Sequence, residues 1–141
     1  MNAIRVEAID HAERTARLWV AGVAMEFGTA DKQFAYRVLR AWLHTLRDRL
    51  GVEASAQFAA QLPELLRGVY YEGWDPSRVP QKLGAEEYQQ RFAHEAVVSL
   101  AEVPHVATTV THAIDKLSSP GHVAHALEQL PQTLRSILTG G

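Results

Sequence analysis

The 141-residue chain carries 14 lysines and arginines against 16 acids, a formal charge of −2, with no cysteine and seven histidines. Without cysteine there is no disulfide, thiolate zinc site or thiol nucleophile, and without a basic excess a general nucleic-acid binder is not expected. A chain of this size buries ~68–70% of its unfolded surface, on the order of 15,000 Å², so a core needs neither disulfide nor metal.

Apolar spacing is helical from end to end. Ala12, Ala16, Trp19, Val20, Val23 and Phe27 fall on one stripe of a first helix. Leu18 and Met25 lie off that stripe, seven residues apart, so this helix is expected to be buried on two sides. The run from Leu18 to Met25 is also the longest apolar one, at eight residues. That is far short of the ~20 needed to span a bilayer. The N-terminus mixes charges and lacks an apolar signal core, so a cytoplasmic protein without a membrane segment is expected.

Gly28 ends the first helix, and Thr29 with Asp31 reads as the capped start of the second. There Ala35, Leu39, Trp42, Leu43, Leu46 and Leu50 repeat the stripe, and Gly51 stops it. A short helix follows from Glu53 to Gln61, then one from Pro63 to Tyr71 with the proline in its first position. Residues 72–84 hold two prolines and two glycines and form the one clear loop. Helices resume at Ala85, at Pro104, after Ser119-Pro120 as N-cap and first residue, and at Pro131. No segment alternates like a strand. The expected class is all-α.

The sequence also recurs. Gln61-Leu62-Pro63-Glu64-Leu65-Leu66-Arg67 returns 68 residues later as Gln129-Leu130-Pro131-Gln132-Thr133-Leu134-Arg135, with five of seven positions identical. Leu43, Leu46 and Leu50 likewise align with Val110, Ala113 and Leu117 at an offset of 67. The expectation is about eight helices in one domain, as two quasi-repeated four-helix halves, 10–71 and 85–139, joined by the loop 72–84.

The stretch Leu43-His44-Thr45-Leu46-Arg47-Asp48-Arg49-Leu50, with Ala60 through Trp74, closely resembles the bacterial domain-of-unknown-function family 2267. Ser119-Pro120-Gly121 and Gln129-Leu130-Pro131 also look like its pattern, and the resemblance spans roughly residues 10 to 139. It implies a small, helical, bacterial, intracellular protein and carries over no cofactor or catalytic residue. His122 departs from the family, whose members often carry an acid there.

Chemistry-bearing residues are sparse. His122, His125 and Glu128 follow one another at i+3 steps and could offer two imidazoles and a carboxylate to a divalent ion. The helical zinc motif, with histidines at i and i+4 around a glutamate, is absent, so surface histidines and no cofactor are expected. No serine stands in a nucleophile elbow and no glycine-rich loop would hold a phosphate. Arg37, Arg40, His44 and Arg47 form a basic stripe, read as the solvated side of a core-packed helix rather than a nucleic-acid surface.

The sharpest local feature is Tyr70-Tyr71-Glu72-Gly73-Trp74-Asp75-Pro76, three aromatics in five residues at a helix-to-loop junction. Tyr70 and Trp74 are expected to pin the loop. Tyr70, Tyr71, Glu72, Trp74, Asp75 and Arg78 are then the candidate binding residues, with Tyr71 as anchor and Arg78 as its charged neighbour. The functional expectation is a helical binding or scaffold module acting through a protein partner or self-association. The alternative is a small-molecule or metal-binding protein, perhaps an enzyme, with a pocket between the halves.

Overall fold

The structure is a computed structural model that describes residues 4–141. Among these residues it is all-helical, with eight α-helices and no strand. Helix α1 (Glu7–Phe27) ends where Gly28 enters the left-handed region at φ 69°, its N–H returning to the Met25 carbonyl at 3.0 Å. The turn to α2 (Lys32–Arg49) is fixed by two side chains. Thr29 Oγ1 accepts from the Asp31 N–H at 3.1 Å, and Asp31 accepts from the Phe34 N–H at 3.0 Å as N-cap.

The remaining helices are α3 (Val52–Ala59), α4 (Glu64–Tyr71), α5 (Ala85–Ala96), α6 (Val103–Leu117), α7 (His122–Leu127) and α8 (Gln132–Thr139). Helix α2 is the axis of the fold. Helices α1, α4, α5 and α6 all pack on it, and every residue from Ala41 to Arg47 is buried. Helix α6 in turn carries α8, while α3 meets α7. Trp42 joins α2 to α6 by donating from Nε1 to Thr111 Oγ1 at 2.9 Å. Where α1 crosses α6, Gly22 lets the helices close. A Cβ there would stand 3.1 Å from the Leu117 side chain.

Two start signals differ in detail from the sequence expectation. Pro63 and Pro131 are the N-caps of α4 and α8, with extended backbone at ψ 148° and 151°, one residue before the helices begin. Ser119 is no N-cap. Its carbonyl accepts from the His122 N–H at 3.1 Å, closing a turn with Pro120 and Gly121 at its centre. Gly121 is itself the N-cap of α7 at φ 83°, the geometry a type II turn requires at its third residue. The short helix expected over 53–61 runs from Val52 to Ala59, because the chain must turn before Pro63.

The related segments do the same local work. Arg67 donates from Nε to the Ala59 carbonyl at 3.1 Å and from Nη2 to the Leu62 carbonyl at 3.1 Å. Arg135 donates from Nε to the Leu127 carbonyl at 3.3 Å and from Nη2 to the Leu130 carbonyl at 3.0 Å. Each acceptor pair is offset by 68 residues, as are the arginines. A guanidinium fork satisfies carbonyls that the end of a short helix leaves without partners.

Candidate functional site

The loop after α4 is ordered by its own side chains. Asp75 accepts from the Ser77 N–H at 3.0 Å and from its hydroxyl at 2.6 Å, starting a 3-10 turn over Pro76–Arg78. Those two bonds hold the Asp75 carboxyl below its usual range. The Gln81 N–H donates to the Asp48 carbonyl at 2.8 Å, and Leu83 is buried, so the far end of the loop is tied to α2. Tyr71 and Trp74 pack together with ring centroids 5.1 Å apart, both half-buried.

This arrangement divides the residues expected to bind. Tyr70 is fully buried and donates to Ser55 at 3.0 Å, and burial pushes its phenol well above the usual value. It belongs to the core and offers nothing to a partner. Glu72 pairs with Arg40, which lowers its carboxyl pKa, and Asp75 is engaged with Ser77. Only Tyr71, the half-exposed part of Trp74 and Arg78 stay on the surface without a role in closing the loop.

The basic stripe of α2 is not a solvated side. Arg37 donates to the Ala96 carbonyl at 2.6 Å, and Arg47 donates to those of Tyr70 and Glu72 at 2.9 and 2.6 Å. His44 meets the Val69 carbonyl through Nε2 at 2.6 Å and Glu95 through Nδ1 at 2.5 Å. Arg40 bridges Glu72 and Glu95. The stripe therefore clamps the C-terminal ends of α4 and α5, where orphan carbonyls and the helix dipole favour cations. These contacts occupy the groups that phosphates would need. Sequence reasoning missed this because a stripe opposite a core looks solvated until helices cover both sides.

The histidines divide in the same way. His122 stacks on Phe58 at 4.7 Å with the rings 4° from parallel, and burial lowers its pKa from 6.5. His122 and His125 line a hollow of about 360 Å³ between α3 and α7, with Gln57, Gln61 and Gln129 on its rim. Glu128 faces a second hollow, with Thr111, His112 and Asp115. His122, His125 and Glu128 thus do not converge as a ligand set. Among the described residues no three histidine or acidic side chains are grouped to hold a metal ion.

The outer face of α1 departs most from expectation. Leu18 is 66% exposed and Met25 80%, although two-sided burial was expected. They lie on the side of α1 away from the buried Trp19, Val23 and Ala24. Tyr36 of α2, 41% exposed, stands across a groove of about 650 Å³ that Leu18, Val20 and Ala21 line from α1. Arg14, Arg17 and Lys32 complete its lining, and no acid contributes. The spacing of Leu18 and Met25 signalled this face in the sequence; Tyr36 gave no such signal.

The described residues form an all-helical domain in which cations of α2 clamp the C-terminal ends of α4 and α5. The chain belongs to the family described as "Uncharacterized conserved protein (DUF2267)", whose model matches residues 9–137. No curated protein matches it. No helix among the described residues is long and apolar enough to cross a membrane.

Proposed function

We propose that the protein is a binding module that acts through protein contacts, with the outer face of α1 as its contact surface. One observation carries this reading: Leu18, 66% exposed, shares a groove with the exposed Tyr36, and Met25, 80% exposed, continues the same outer face of α1. Single exposed apolar residues are ordinary, but a contiguous set lining a groove between two helices is the signature of a contact site. The loop edge at Tyr71 and Arg78 is a smaller, secondary surface. The matching carbonyl clamps of Arg67 and Arg135 support reading the chain as a duplicated helical unit.

A second reading rests on the hollow between α3 and α7. Its lining pairs positions offset by 68, Ala54 with His122, Gln57 with His125 and Gln61 with Gln129, and contains no Asp, Glu, Lys or Arg. That hollow suits a small uncharged ligand.

The experiment replaces both apolar residues at once. In Leu18→Asp with Met25→Asp the melting temperature should stay near wild type, because neither side chain is in the core. Partners captured by the wild-type chain should be lost. If the folded double variant captures the same partners, the contact surface lies elsewhere.

A further inference from the structure

From the groove between α1 and α2 we infer the chemistry of its occupant: an acidic amphipathic helix of a partner protein. The inference rests on the reading of the α1 face given above and adds what would sit on it. The floor is apolar, made by Leu18, Val20, Ala21 and Tyr36. The rim is cationic. Arg17 is held by Glu13 at 2.9 Å, whereas Arg14 and Lys32 make no side-chain hydrogen bond or ion pair among the described residues. The chain as a whole is acidic, at −2, so this concentration of positive charge is local.

The shape selects a helix. Two packed helices present a groove between their ridges, which a third helix fills by the same ridge-and-groove logic that packs cores. The groove wall on α1 runs from Arg14 to Ala21, seven residues and roughly 10.5 Å, the same advance as the i to i+7 apolar anchors of an incoming helix. An all-helical fold offers no strand edge among its described residues, so an extended peptide would leave its own backbone groups without partners here.

The charge selects an acid. Carboxylates flanking the apolar anchors would meet Arg14 and Lys32, steering encounter and fixing register. A second copy of the chain is the poorer occupant, since pairing this face with itself gathers the same cations with no acid in the lining to offset them.

Two capped synthetic peptides of about 18 residues test this, one with leucines at i, i+3/4 and i+7 and glutamates elsewhere, the other with lysines replacing the glutamates. Each is titrated into the isotope-labelled full chain while amide shifts are followed, and the chain alone is examined by sedimentation equilibrium. The glutamate peptide should shift amides in 14–25 and 32–36, and the lysine peptide should not. Arg14→Glu with Lys32→Glu, both at the surface, should weaken the glutamate peptide by about tenfold with the melting temperature retained.

Equal or preferential binding of the lysine peptide at this face overturns the acidic occupant and leaves the face itself as a contact surface. So does a dimer of the chain alone that Leu18→Asp dissociates. Absence of shifts at α1 with either peptide overturns the helical occupant, while the captured-partner comparison above still decides the broader reading.

Discussion

Leu130 is 2% exposed and follows the short helix α7 into the Pro131 N-cap. Its side chain fills the core where α7 gives way to α8, so Leu130→Ala should cost ~2–5 kcal/mol, read as a shift of the denaturation midpoint. A variant that unfolds with wild type would remove Leu130 from the core. His122 makes a different kind of statement. Burial holds its folded pKa below the unfolded value of 6.5, so the unfolded chain binds the proton more readily. Its contribution to stability is therefore fully present above pH 6.5 and is lost as pH falls through the lowered folded value. Urea midpoints measured from pH 7.5 downward should fall less steeply for His122→Gln than for wild type. Equal slopes would show that the imidazole titrates alike in both states.

At the scale of single helices, the α2 clamp is what converts a polar stripe into structure. Arg47 is 5% exposed, pairs with Asp48 at 2.9 Å and ties down two carbonyls at the end of α4. Arg47→Ala leaves those carbonyls and Asp48 without their donor and should cost about 3–5 kcal/mol. Arg78→Ala, exposed in the middle of the loop, should move the same denaturation midpoint by no more than about 0.5 kcal/mol. Comparable effects from the two would contradict the clamp. The helices themselves were readable because period-3.6 stripes and Gly or Pro punctuation act locally. Pro63 and Pro131 marked the right turns but not the right cap position, since N-cap and first-residue prolines leave the same trace in a sequence. The Thr29–Asp31 cap was readable for the same local reason.

Across the whole molecule, what the sequence could not reveal is which polar side chains another element would cover. Arg37, Arg40, His44 and Arg47 looked solvated because the groups they bind at the ends of α4 and α5 lie 23 to 59 residues away in the chain. Tyr70 reads as a pin of the loop and also as a binding candidate, because its partner Ser55 sits on a different helix. The converse error produced the candidate surface: Leu18 and Met25 looked like a second buried side, and no element of the described chain covers them. The outer face of α1 is therefore the apolar surface on which a partner is proposed to sit.

Cross-linking from that face tests it most directly. A photoreactive side chain at Met25, and for comparison one at the exposed Gln132 of α8, are introduced separately into the full chain and irradiated in the cells that make it. The account predicts discrete adducts from position 25, absent when Leu18→Asp is added, and none of comparable yield from position 132. Adducts of equal yield from both positions, or adducts at 25 that survive Leu18→Asp in a folded protein, would contradict it.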